Sequence, residues 1–94
     1  MPELITENVL SASLKKCAEW DLEGNEITRT IEFESFTDAI DFVNDLAEIA
    51  EGAQHHPDID IRYSRVTLHL TTHDKAGLTE ADFEMAQRIN NLVD

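Results

Sequence analysis

The spacing of hydrophobic residues alternates between helical and strand periods along the chain. Thr6 is placed to cap a short helix reaching about Lys16, with Val9, Leu10 and Leu14 on one stripe. A short strand, Trp20–Leu22, then leads through the turn Glu23-Gly24-Asn25 into a longer strand. There Ile27, Ile31 and Phe33 alternate with Glu26, Thr28, Thr30 and Glu32, the period-two pattern of a half-buried strand. Arg29 interrupts the apolar face, which marks an edge or a side chain reaching toward a ligand or subunit.

From Ser35 the period becomes helical. Ser35 and Asp38 form a capping-box-like start, and Phe36, Ala39, Ile40, Val43, Leu46, Ala47 and Ala50 follow on one face. Phe42 and Ile49 fall off that stripe, where they either widen the core face or meet a second subunit. Gly52 is placed to end the helix. Next Ile59, Ile61 and Tyr63 alternate with Asp58, Asp60 and Arg62, then Val66, Leu68 and Leu70 with Thr67, His69 and Thr71. The tight Tyr63-Ser64-Arg65 junction predicts an antiparallel hairpin. Thr79-Glu80-Ala81-Asp82 caps a last helix carrying Phe83, Ala86, Ile89 and Val93 inward. The pattern predicts one α+β domain over residues 1–94, ordered α-β-β-α-β-β-α. Its four-stranded antiparallel sheet is covered by helices on one face.

Charge narrows the functional classes. Against 20 Asp+Glu stand only 7 Lys+Arg, a formal −13, so no basic face is available for nucleic acid or for an anionic membrane surface. No apolar run reaches the ~20 residues of a membrane span, and Met1-Pro2-Glu3 lacks the start of a signal peptide. A single cysteine, Cys17, after Lys15-Lys16, forms no internal disulfide and reads as a packing residue at a helix end. The expectation is a cytoplasmic protein.

The candidate chemistry lies in histidines at breaks in the pattern. His55-His56-Pro57 follows the central helix, and His73 follows the last strand. If those strands form a hairpin, the start of one and the end of the next share one end of the sheet, which brings the three imidazoles together. Each alone reads as a solvated loop residue; together they point to proton transfer, since imidazole both donates and accepts near neutrality. Glu51 and Asp82 fall near the same end, as orienting groups or as surface acids. Trp20 reads as a core or interface aromatic before a ligand stack, and His69 as a sheet-surface residue.

The string Glu51-Gly52-Ala53-Gln54-His55-His56-Pro57, with Tyr63, Thr72-His73 and Ala76-Gly77-Leu78-Thr79-Glu80-Ala81-Asp82, resembles the signature of the pterin-4a-carbinolamine dehydratase family. Trp20, Phe33–Phe36 and the long helix extend the likeness over nearly the whole chain. The resemblance implies dimers, or dimers of dimers, and loss of water from 4a-hydroxytetrahydropterin to give quinonoid dihydropterin. It implies His55, His56 and His73 as catalytic residues, with Glu51, Pro57, Asp82 and Trp20 binding or supporting. It implies no metal and no prosthetic group. Pterin recycling for aromatic amino-acid hydroxylases makes such a hydroxylase an implied protein partner. Many relatives carry Trp two residues after His-His-Pro, where this chain has Ile59.

Two other readings compete. The family also holds non-catalytic members that assist dimerisation or Rubisco assembly, and a binding module has no evident need for three histidines. A metal protein is disfavoured, because no ligand pair sits at i,i+4 on a helix and no Cys joins the histidines.

A 94-residue chain buries only roughly 60–65% of its unfolded surface, and its charge repels itself, so association would stabilise it. Sedimentation equilibrium is expected to show at least a homodimer, tightened by added salt as the acidic repulsion is screened. A folded monomer at micromolar concentration in both low and high salt would refute this.

Overall fold

The order of elements read from periodicity is the order observed. A computed structural model describes residues 3–94; Met1 and Pro2, where the leader reading begins, lie outside the described residues. The elements are α1 (Glu7–Lys16), β1 (Asp21–Glu23), β2 (Glu26–Glu32), α2 (Phe36–Ala53), β3 (Asp58–Arg62), β4 (Arg65–Leu70), a 3-10 turn (His73–Lys75) and α3 (Glu80–Val93). The sheet is antiparallel with strand order β1-β2-β4-β3, so the two hairpins join through β2 and β4. Ile27 stands opposite Leu70 and Ile31 opposite Val66. These residues and Leu68 are buried against Ala39, Phe42 and Leu46 of α2 and Phe83, Ala86 and Ile89 of α3. The other face of the sheet is polar: Thr30 and Thr67 share a hydroxyl hydrogen bond of 3.0 Å, and His69 Nδ1 meets Glu26 Oε1 at 2.8 Å.

Burying one large aliphatic side chain contributes ~1.5–3 kcal/mol, more than the helix-propensity differences among residues other than proline. The seating of α2 therefore follows its most apolar stripe. That stripe is Ala39, Phe42, Leu46 and Ala50, with Val43 and Ile49 packed at its flanks. Phe42 and Ile49 thus widen the core face, whereas Phe36 and Ala47, read as inward, are exposed. Val9 is likewise exposed, although Leu10 and Leu14 of α1 pack on the core.

Other local readings are corrected. Gly52 does not end α2; the helix runs through Ala53, and Gln54 takes the left-handed cap at φ 55° and ψ 38°. A second amide explains the choice: the Gln54 side chain donates to the Glu51 carbonyl at 3.0 Å, which offsets the strain of a non-glycine cap. Ile59 and Ile61 sit opposite Leu68 and Val66, yet they stay exposed because β3 is the edge strand and lies beyond the helices' cover. Tyr63 is not a strand residue. It turns the β3–β4 hairpin at φ 55° and is exposed, at the end of the sheet away from the histidines. Arg29 marks no edge. Its guanidinium donates to Asn90 Oδ1 and to the Asp94 carboxylate, bracing the end of α3 against β2.

Cys17 is fully buried beyond the last turn of α1. Burial, and next the charge of Glu19, raise its thiol above its ordinary pKa, while a hydrogen bond from Gln87 and the charge of Lys16 oppose this. A raised folded-state pKa means the associated stability is full below the unfolded thiol's pKa and is lost as pH climbs through the folded one. Urea midpoints followed over roughly pH 7 to 10 should fall more steeply for wild type than for Cys17→Ala. Parallel declines would contradict the assignment.

Candidate active site

Two helix ends build the site. At the end of α2, the Gln54 N–H donates to the Ala50 and Glu51 carbonyls, and the His55 N–H donates to Ala50 O at 3.2 Å. These bonds reverse the chain immediately before His55-His56. Pro57 follows and is buried, which anchors the pair and keeps His56 out of helical geometry. Asp58 then pairs with His69 near the end of β4, so the His55–Pro57 segment and the chain leaving β4 share one end of the sheet.

The start of α3 supplies the partner. Asp82 is fully buried in the first turn, and its Oδ2 accepts from the Thr79 N–H at 2.8 Å and from the Thr72 hydroxyl at 2.9 Å. Thr72 and Thr79 hydroxyls lie 2.7 Å apart. The other carboxylate oxygen, Oδ1, is 2.6 Å from His55 Nε2. A carboxylate only accepts, so Nε2 carries the proton in this contact. Among the described residues every buried side-chain nitrogen or oxygen has a partner. Nδ1 of His55 has no hydrogen-bond partner among the described residues, and the side chain keeps 15% of its surface exposed. The imidazole is thus held at one nitrogen and open at the other.

The remaining candidates are arranged differently. His56 Nε2 meets Glu51 Oε2 at 2.5 Å, but both side chains are mostly in water, at 56% and 73% exposure. His73 opens the 3-10 turn directly after Thr72; it is exposed, and its ring has no hydrogen-bond partner among the described residues. Trp20 is not part of the cluster. It is buried, and its Nε1–H donates to Asn90 Oδ1 at 2.9 Å, eight residues beyond Asp82 and so about 12 Å along α3. Thr72 and Thr79 were missed as supporting residues; Thr79-x-x-Asp82 signals a helix start, and nothing in it shows that the carboxylate faces inward. Among the described residues no three His, Cys, Asp or Glu side chains are grouped to hold a metal ion.

A family model described as pterin 4 alpha carbinolamine dehydratase matches residues 3–92. The chain belongs to that family. A protein of Picosynechococcus sp., provisionally named a pterin-4-alpha-carbinolamine dehydratase, is 47% identical over 98% of this chain and all of its own length. One from Chloroflexus aurantiacus with the same provisional name is 50% identical over 99% of both chains. The crystal structure of a transcriptional coactivator/pterin dehydratase from Brucella melitensis superposes with a TM-score of 0.93 at 33% identity, covering 98% of this chain and all of that one. A pterin dehydratase-like protein identified as a RuBisCO assembly factor in the alpha-carboxysome superposes at 0.69 with 25% identity, over 79% of this chain and 88% of that one. The four-stranded sheet and its three helices are therefore the pterin dehydratase fold.

In this family member Asp82 also holds the fold together. Asp82→Ala leaves the Thr79 N–H without its acceptor, opens a buried polar gap, and is expected to cost about 2–4 kcal/mol of unfolding free energy. Glu51→Ala, at an exposed pair, is expected to leave the urea midpoint nearly unchanged. Equal effects of the two substitutions would show that Asp82 is not the structural member of the site.

Proposed function

We propose that this protein dehydrates a 4a-hydroxytetrahydropterin to the quinonoid dihydropterin. The observation that carries the reading is the half-buried His55 imidazole, bonded at Nε2 to buried Asp82 and without a partner at Nδ1 among the described residues. Dehydration removes a proton from N5 and hydroxide from C4a as the C4a–N5 double bond forms. Hydroxide leaves as water once its oxygen is protonated, so the reaction needs one proton acceptor and one donor. His55 Nδ1 takes the N5 proton, and the Asp82 carboxylate stabilises the imidazolium that results, as a carboxylate does behind a general-base histidine. A second imidazole from the same end of the sheet, His56 or His73, delivers the proton to the 4a oxygen. His56 meets Glu51 in an exposed pair that leaves its ring free to turn toward substrate. His73 is placed by the Thr72 anchor. Neither step draws on a metal.

A binding or assembly role is the alternative favoured by the likeness to the RuBisCO assembly factor. Stopped-flow measurement of carbinolamine dehydration separates them. His55→Ala and His73→Ala are expected to remain folded and to lose ~10²–10⁴-fold in rate, the usual worth of one acid/base group. The wild-type rate should survive exhaustive chelation. Wild type no faster than the uncatalysed reaction, or both variants within a fewfold of wild type, would leave the assembly role as the better account.

A further inference from the structure

We infer that Thr72 is a positioning residue which holds two histidines of the site at once, fixing His55 as its Nε2–H tautomer through Asp82 and tying down the turn that carries His73. The catalytic part of this inference rests on the proposed dehydration; the tautomer does not.

The direction of the hydrogen bonds follows from what each group can do. Asp82 as a carboxylate is an acceptor, so the Thr72 hydroxyl spends its one proton on Oδ2. At 2.7 Å from Thr72, the Thr79 hydroxyl must then be the donor of that pair. Thr79 O–H donates to Thr72, Thr72 O–H donates to Asp82, and Thr79 N–H donates to the same carboxylate oxygen. With Oδ2 saturated and the carboxylate fully buried, Oδ1 is left to face His55 Nε2. Every donor points toward Asp82, so the imidazole has one orientation and one tautomer, with Nδ1 as its open lone pair.

The backbone of Thr72 does the second task. Its N–H donates to the Gly77 carbonyl at 3.0 Å, and its own carbonyl accepts from the Lys75 N–H at 3.0 Å. Residues 73–76 are thereby closed into a short loop whose base is Thr72. Next to that base Gly77 is buried, and its N–H and carbonyl both bond to the Thr72 backbone. His73 is the first residue of this loop. A displaced Thr72 therefore moves His73 directly and His55 through the carboxylate.

Two near-isosteric substitutions separate a hydroxyl role from a packing role. Thr72→Val keeps the shape and removes the donor; Thr72→Ser keeps the donor and removes a methyl group. If Thr72 positions the site, Thr72→Val lowers kcat roughly 10- to 100-fold with KM within a few-fold, and Thr72→Ser stays within a few-fold of wild type. A packing role gives the reverse, with Ser impaired and Val active, and would overturn the inference. Should Thr72→Val not fold, Thr72→Ala removes the hydroxyl without placing a methyl group beside Asp82, and the same comparison with Ser applies.

Imidazole 15N NMR of the wild-type protein supplies the arm that does not depend on activity. His55 is expected to show a protonated Nε2 and a bare Nδ1, and the hydroxyl-free variant is expected to show averaging between tautomers. A wild-type His55 protonated at Nδ1, or a variant with an unchanged single tautomer, would refute the positioning role. If the protein proved to have no dehydratase activity, these spectra would still decide it.

Discussion

One fully buried carboxylate organises this molecule. Removing a charged carboxylate from water is costly unless hydrogen bonds replace its hydration, and Asp82 replaces that hydration with donors from three separate stretches of chain. Thr79 belongs to the α3 cap, Thr72 to the exit from β4, and His55 to the exit from α2. None of the three can move away without exposing or orphaning the charge. The sheet brings these segments to one end, and Asp82 makes their meeting specific.

The contrast with the start of α2 shows why this could not be read directly. Ser35-Phe36-Thr37-Asp38 and Thr79-Glu80-Ala81-Asp82 present the same cap pattern, hydroxyl residue followed three positions later by Asp. At α2 the Ser35 hydroxyl accepts from the Asp38 N–H and the carboxylate stays exposed, an ordinary cap. At α3 two other segments close over the helix end, and the same residue type becomes buried. Local spacing identifies a helix start; whether its acid faces water depends on what packs there.

Elsewhere the legible features are those that a short window determines. Alternation in β2 and β4, the hairpin turns and the order of elements all follow from residues within a few positions of one another. The failures share a different cause. Ile59 and Ile61 carry a buried-strand pattern but occupy an edge, and only strand order, a long-range property, places β3 outside the helices' cover. Arg29 breaks an apolar face because its partners Asn90 and Asp94 lie more than sixty residues away. In the site, the hairpin was enough to gather the His55–Pro57 segment and His73 at one end of the sheet. Which acid partners which imidazole, and how deeply each is buried, required the packed structure.

Burial also ranks the two histidine–carboxylate pairs. His56 and Glu51 touch in an exposed pair that solvent screens, so their pairing constrains little. His55 and Asp82 meet where one partner has no access to water, so the bond orients the ring. A scaffold that only binds other proteins gains the cap and the loop anchor from Asp82 without needing an imidazole there. What a capping carboxylate does not explain is a histidine fixed at one nitrogen and left open at the other. That arrangement leaves one ring nitrogen without a partner among the described residues while a buried carboxylate orients the ring from the other side, which is the geometry that the proposed proton transfer needs and a structural joint does not.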